Sequence, residues 1–394
     1  MDEQRNNYTA PKTVIQFAIS GGGVKQHVVD LSSGIDRKYF RCIGVFPDKL
    51  MCSTVLQNDD SKYQNAFKEI GLNFYTLEVP RHIDLFRVIG AVFGLIRIIK
   101  KQKNPVALHC HSTMAGFIGR LAKIFVSDCR LVYTHHSPYF LLLEDKKTSL
   151  IFRLIEKVLF PLTDFTVAVS ESEYEDLQRE LGPSHRIVLI RNGVNVDAVA
   201  SWKVDRAELL QSLGVPLNSK VLLSPARLEY PKDVQTTIKA IMLLAKKHPE
   251  LAVLLAGNGP EKCAIQDIVR KAGIDNLVFF LGWRDDIKDL MAASDFVVLS
   301  SYGEGLPYAL IEASAMRKPV LGSICRGIVD VIVHEKTGFL FPIGDEKALA
   351  TYLGRLLNDT VLCRNMGQNG YEHVLRYFNL KDMIRNTVKL YSDV

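Results

Sequence analysis

The chain has 394 residues, 47% of them hydrophobic and 23% charged, with a formal net charge of +6. That balance excludes a disordered chain, and the length exceeds what one hydrophobic core serves, so two domains are expected. The seven cysteines form no CxxC pair and are odd in number, which argues against a disulfide framework or a structural zinc site.

The N-terminus, MDEQRNNYTAPK, is polar and lacks the pattern of a signal peptide. The longest apolar stretch, Val88 to Ile96, falls well short of the roughly 20 residues of a spanning helix. A cytoplasmic protein is expected. The charge is uneven. Residues 81–130 carry nine bases against Asp84 and Asp128, a net +7. Such a segment suits an anionic lipid surface, a nucleic acid or an acidic substrate, and equally an ordinary solvated helix face.

In chain order, the first strand is Val14–Ile19, followed by Ser20-Gly21-Gly22-Gly23-Val24 and a helical stretch. Consecutive glycines let backbone N–H groups approach a phosphate or hydroxyls, although a tight strand-to-helix turn explains them as well. Lys25 and Gln26 break the GxGxxG pattern, which disfavours a nicotinamide cofactor. Strands at Cys42–Phe46 and Asn73–Leu77, then a helix over Leu85–Lys101, lead to strand Val106–His111. His109 and His111 alternate there and share one face, and His135 and His136 follow strand Leu131–Thr134. Zinc is one reading, but no third ligand has suitable spacing; neutral hydrogen-bonding histidines facing a cleft are the alternative. Helix Leu150–Phe160, strand Phe165–Ser170, helix Glu171–Leu181 and strand Ile187–Arg191 complete the first half.

Periodicity weakens over Asn192–Ser219 and resumes with strand Val221–Ser224. Arg227 and Lys232 then lie five apart in a loop opening helix Val234–Lys246, a pattern suited to pyrophosphate. After strand Leu251–Ala256, Gly257 and Gly259 form a turn, and Pro260 is expected to open helix Pro260–Ala272. Strands Leu277–Leu281 and Phe296–Leu299 follow. The run Ser300–Ala313 contains Glu304 between two glycines and Glu312 eight residues later. If helical throughout, it holds their Cα atoms roughly 12 Å apart at 1.5 Å per residue. A hydrolytic acid/base pair wants about 5–9.5 Å, so two separate hydroxyl acceptors are favoured. Strand Pro319–Gly322 and helix Ala348–Leu357 follow. Strands alternating with helices predict an α/β architecture of two doubly wound domains facing across a cleft.

Taken in order, these pieces resemble glycosyltransferase family four. The resemblance adds Val169-Ser170-Glu171, Asn192-Gly193-Val194, Leu281-Gly282-Trp283 and Lys336-Thr337-Gly338-Phe339-Leu340, and it covers nearly the full chain. It implies the GT-B fold. Residues 1–195 would be an acceptor-binding Rossmann-like domain and 196–375 a nucleotide-sugar donor domain, with 376–394 a helix crossing back. It also implies a retaining, metal-independent hexosyltransferase without cofactor. On this basis Arg227 and Lys232 would hold the diphosphate and Glu304 the donor-sugar hydroxyls. Glu312 would hold the ribose, and His136 would pack on the sugar. Gly22, Gly23, Gly257, Gly259, Gly305, Leu306, Pro307 and Tyr308 would line the donor site.

The expected donor is a UDP-sugar such as UDP-GlcNAc, UDP-GalNAc or UDP-Glc. The expected acceptor is lipid-linked or a polysaccharide, in assembly of lipopolysaccharide, O-antigen, capsule or exopolysaccharide. The basic segment 81–130 would touch the cytoplasmic membrane face, and no nucleic-acid partner is expected. Alternatives on the same fold are a sugar-nucleotide epimerase or hydrolase, or a non-catalytic nucleotide-sugar-binding subunit. Asp233, Arg317 and Arg326 depart from the family pattern, and Arg326 is a candidate for an added phosphate contact or for sugar choice.

Overall fold

The computed structural model describes residues 10–19, 21–48, 60–80, 84–143 and 145–391. Ser20 and Arg81 lie outside them. The first half carries β1 (Lys12–Ala18), α1 (Gly23–Gly34), β2 (Phe40–Pro47), α2 (Asp60–Glu69) and β3 (Asn73–Leu77). Next come α3 (Leu85–Lys100), β4 (Pro105–His111), α4 (Thr113–Lys123) and β5 (Arg130–Thr134). α5 (Lys146–Leu159), β6 (Phe165–Ala168), α6 (Glu171–Leu181) and β7 (Ile187–Leu189) complete a seven-stranded sheet of order β3-β2-β1-β4-β5-β6-β7.

Two short helices, α7 (Val196–Ala200) and α8 (Arg206–Ser212), occupy the stretch where periodicity weakens. They precede β8 (Lys220–Ser224), α9 (Val234–Leu244), β9 (Leu251–Ala256), α10 (Lys262–Ala272) and β10 (Val278–Gly282). α11 (Ile287–Ala293), β11 (Phe296–Leu299), α12 (Tyr308–Ala315), β12 (Val320–Ser323) and β13 (Gly338–Phe341) follow. The second sheet has six strands in the order β10-β9-β8-β11-β12-β13. Helices α13 (Glu346–Asn358), α14 (Thr360–Tyr377) and α15 (Leu380–Tyr391) end the chain.

Among the described residues all strand pairs are parallel, and central strands such as β9 are buried along their whole length. A parallel sheet is covered by helices on both faces, so its strands read as unbroken apolar runs. The two sheets place their order reversals beside β1 and β8. Crevices at the carboxyl ends of such strands are where open α/β sheets bind ligands. The glycine loop leaves β1 and the 300–307 loop leaves β11, so both open at these crevices.

Helix α15 packs on the first sheet. Its Tyr391 is buried, with the hydroxyl 2.7 Å from His109 Nδ1. Val194 donates a backbone hydrogen bond to Phe378 O (2.9 Å), and Leu380 N donates to Val194 O (3.0 Å), pinning the crossing.

Several expectations need correction. Pro260 sits in the turn before α10, which starts at Lys262 behind the N-cap Glu261. Strand β13 and helix α14 escaped the periodicity. Each has glycine where neighbouring backbone comes too close for a side chain. A Cβ on Gly338 would lie 2.3 Å from Val320 O, and one on Gly367 2.2 Å from Arg317 O. Arg120 does not belong to the basic surface: it is buried and pairs with buried Glu156 at 2.6 Å, tying α4 to α5. Among the described residues, no helix is long and apolar enough to cross a membrane.

Candidate active site

Between the two sheets lies a cavity of about 1240 Å³. The first half contributes Gly21–Gln26, Ser112–Met114, His135–Ser137 and Asn192 to its wall. The second contributes Pro225–Arg227, Lys232, Gly257, Trp283–Lys288, Glu304–Ala309 and Glu312. Of the residues expected to line the donor site, all but Gly259 are on this wall. Gly259 stands behind it, because a Cβ there would lie 2.2 Å from Leu228 O. Its role is to let the 226–228 backbone pass. Gly257 serves the same packing, 1.9 Å from Ala226 O by the same measure, while also reaching the cavity.

The charged groups of the second half are already paired. Lys232 Nζ donates to Glu304 Oε1 at 2.6 Å, and Ser301 Oγ donates to the same oxygen at 2.6 Å. Glu304 is thereby fixed in one rotamer. Arg227 pairs with Glu229 at 2.7 Å but stays about half exposed, so this contact holds it loosely. Glu312 meets Lys288 at 3.3 Å. Burial pushes the Glu312 carboxyl above its ordinary range, and the Lys288 charge and hydrogen bond oppose that. The stretch from Glu304 to Glu312 is not helical throughout, since α12 begins only at Tyr308. Its N-cap Pro307 makes no side-chain cap bond, and the first turn faces the cavity. Orphan amides at a helix start favour an anion.

The opposite wall carries a strained turn. His136 and Ser137 take φ of 55° and 87°, a region unfavourable for residues with a side chain. Gly305 packs against this turn, where a Cβ would stand 2.9 Å from His136 C and from Ser137 N. Behind the turn lies the carboxyl of Glu173, fully buried and pushed up to about 8 by desolvation, with Arg326 opposing. The Ser137 and Val169 amides lie beside this carboxyl but outside good hydrogen-bond geometry. Arg326 reaches across the seam to Asp176 (3.0 Å), so it serves the contact between halves instead of the expected ligand contact. Asp330 accepts from Ser172 N (3.0 Å) in the same seam.

His109 and His111 do not face the cavity. Both are fully buried within a hydrogen-bonded cluster with Gln16, Thr134 and Tyr391. Burial lowers the pKa of His27 and His135 to about 4, and those of His109, His111 and His136 well below the ordinary value. Burial thus favours the neutral form of all five. Sequence reasoning missed Lys288 and Trp202. Lys288 and Trp202 are single residues without a motif, and only the fold brings Lys288 Nζ to 5.6 Å from the Trp202 ring.

Comparison with known proteins fits this geometry. Residues 21–198 match the model described as Glycosyltransferase Family 4, and residues 205–373 the one described as Glycosyl transferases group 1. EpsD of Bacillus subtilis, provisionally named a glycosyltransferase, is 31% identical over 293 residues, 73% of this chain and 76% of EpsD. The chain belongs to the family 4, group 1 glycosyltransferases. The UDP-Gal:alpha-D-GlcNAc-diphosphoundecaprenol alpha-1,3-galactosyltransferase of Escherichia coli is 24% identical over 367 residues, 90% of this chain and 94% of that enzyme. The crystal structure of Anabaena HepE in complex with UDP-glucose superposes with a TM-score of 0.81 at 20% identity, covering 97% of this chain and all of that one. This shared architecture is GT-B. A glycosyltransferase must hold an anionic leaving group and sugar hydroxyls out of water, and one wall of this cavity presents cations, carboxylates and helix-start amides together.

Proposed function

We propose that the protein is a retaining, metal-independent hexosyltransferase that moves a sugar from a UDP-sugar to a lipid-linked or polysaccharide acceptor in cell-envelope glycan assembly. The observation that carries this reading is the pairing of Lys232 with Glu304 beside the open start of α12, in a cavity bounded by both halves. The E. coli relative, named for UDP-Gal and a diphosphoundecaprenol-linked acceptor, supports a UDP-sugar donor and a lipid-linked acceptor. HepE, crystallised with UDP-glucose, supports the same class of donor.

Arg227 and Lys232 neutralise the departing diphosphate. Negative charge grows there as the glycosidic bond breaks, so both interactions strengthen in the transition state. The amides around Leu306–Tyr308 add to this from the helix start. Glu304 accepts from donor-sugar hydroxyls, and Glu312, whose ionised form the Lys288 charge favours against burial, accepts from the ribose. His136 packs on the sugar, and Gly22 and Gly23 border phosphate or acceptor. A leaving-phosphate oxygen takes the acceptor proton, so no side-chain base is required. Retention follows from attack on the face the diphosphate leaves.

The test combines a thermal-shift panel of nucleotides and UDP-sugars with product NMR. Expected are a raised melting point with UDP, since a ligand of the folded state stabilises it, and UDP release only when acceptor is present. EDTA should leave turnover unchanged, and the product should keep the donor's anomeric configuration. Donor consumed without acceptor points to an epimerase or hydrolase instead.

A further inference from the structure

Histidine spacing in the sequence offers no third partner for a metal, but the tertiary structure brings one from α1. One ring nitrogen from each of His27, His111 and His136 lies within 4.8 Å of the others. The rings come from α1, the end of β4 and the turn after β5. Their centroids are 4.6 Å apart for His27 and His136, and 5.4 Å for the other two pairs.

The surrounding hydrogen bonds decide which nitrogens carry protons. Asn192 Nδ2 donates to Leu306 O at 3.1 Å, leaving its Oδ1 to accept from His27 Nδ1 at 3.0 Å. His27 Nε2 is then a bare lone pair, and this buried nitrogen has no hydrogen-bond partner among the described residues. The same logic holds for His111. Gln16 Nε2 donates to the Tyr391 hydroxyl at 3.1 Å, so its Oε1 accepts from His111 Nε2 at 2.8 Å. His111 Nδ1 is therefore a lone pair, 3.1 Å from His136 Nε2, which donates to it. Two imidazoles thus present lone pairs to one small space, each with its N–H anchored on a side-chain amide oxygen. Outer-shell acceptors of this kind orient histidine ligands and set their tautomer.

We propose that His27, His111 and His136 form an inhibitory site for a tetrahedral divalent transition metal, Zn²⁺ foremost, with the fourth position open to the donor cleft. Neutral imidazoles suit zinc. Zn–N bonds of about 2.0–2.1 Å place tetrahedral ligand atoms about 3.3 Å apart. The His111–His136 pair already has that spacing, so only His27 closes in. His136 moves its proton from Nε2 to Nδ1, and no proton leaves the protein. The ion then holds His136 away from the donor sugar and blocks transfer. That blocking role rests on the function proposed above; the binding does not.

The experiment uses the full chain stripped with EDTA and titrated calorimetrically with Zn²⁺, with Co²⁺ as the spectroscopic probe. One ion per chain and a tetrahedral Co²⁺ spectrum are expected. His27→Gln should weaken binding at least tenfold, and His27→Cys should restore it with a new sulfur-to-cobalt band. No stoichiometric binding, or equal affinity in His27→Gln, overturns the site. If His27→Gln fails to fold, X-ray absorption on the unaltered zinc-loaded chain decides: three imidazole nitrogens are expected, and fewer, or sulfur, overturn it. Zinc should inhibit transfer reversibly in the unaltered chain and spare His27→Gln. Bound zinc without inhibition overturns the inhibitory role. Binding is measured without donor or acceptor, so its failure leaves the transferase reading intact.

Discussion

Lys232 Nζ sits 2.6 Å from Glu304 Oε1, so the two residues proposed to meet the diphosphate and the sugar hold each other in place. The Glu304 side chain is only 12% exposed, and that of Lys232 20% exposed. A pair this sheltered is costly to split, because removing one partner strands the other's charge.

The pair therefore acts as a unit. Glu304→Gln and Lys232→Met should each lower kcat/KM for the donor about 100-fold, close to 2.7 kcal/mol in the barrier. The double variant should lose much less than the sum of both, as coupled residues do. Steady-state kinetics on the four proteins checks this. Full turnover in Glu304→Gln removes the proposed sugar contact.

Lys288 controls Glu312. Burial raises the carboxyl, and Lys288 is the largest influence that brings it down. Lys288→Met should therefore raise it further, and a neutral carboxyl accepts weakly from a ribose hydroxyl. Donor KM should climb as pH falls, and in the variant the climb should begin at higher pH than in the unaltered protein. Lys288→Arg should restore the profile. A KM–pH curve unchanged in Lys288→Met contradicts the role.

Glu173 makes stability depend on pH. Its carboxyl stands at about 8 in the fold, so between an ordinary carboxylate pKa and about 8 the folded chain binds the extra proton. Stability is then greatest at the acid end of that window and declines as pH rises through it. Melting curves should show Tm falling by about 4 °C or more from about pH 6 to about pH 9. Glu173→Gln, which cannot ionise, should flatten the decline.

Glycine at two positions is a packing requirement. Gly257→Ala drives a Cβ to 1.9 Å from Ala226 O within the second half, and should cost about 1–3 kcal/mol in chemical denaturation. Gly305→Ala meets the His136–Ser137 turn across the cleft. It should impair turnover by at least about 10-fold with a smaller loss of stability, because the halves can part slightly to relieve it.

The proposed membrane contact draws on more than the segment 81–130 alone. On α3, Phe86 is 87% exposed and Phe93 59%, while Val88, Val92 and Ile96 are core. On α5, Leu150, Ile151, Leu154 and Val158 are all more than half exposed, near Lys146, Lys147 and Lys157. Apolar faces flanked by cations bind anionic bilayers. Flotation with anionic vesicles at low salt should retain the protein, and about 0.5 M salt should release most of it. Phe86→Glu with Leu154→Glu should abolish retention. An absence of flotation at low salt ends the idea.

Much of the fold was legible in one dimension, since buried parallel strands are contiguous apolar runs and the loops after β1 and β11 announce themselves by glycine. The strands Asn73–Leu77, Leu251–Ala256 and Phe296–Leu299 match residue for residue. Strand β13 and helix α14 were not legible, because glycines that admit neighbouring backbone erase the local pattern.

Residue type and order by themselves determined two α/β halves, the family, which loops carry Arg227, Lys232 and Glu304, and that Glu312 follows on the next helix. Tertiary structure alone decided the pairings: Lys232 with Glu304, Lys288 with Glu312, Arg120 out of the basic surface, and His27 beside His111 and His136. The physical reason is range. Backbone preference and hydrophobic period act over a few residues, whereas burial and charge pairing depend on what arrives from distant parts of the chain.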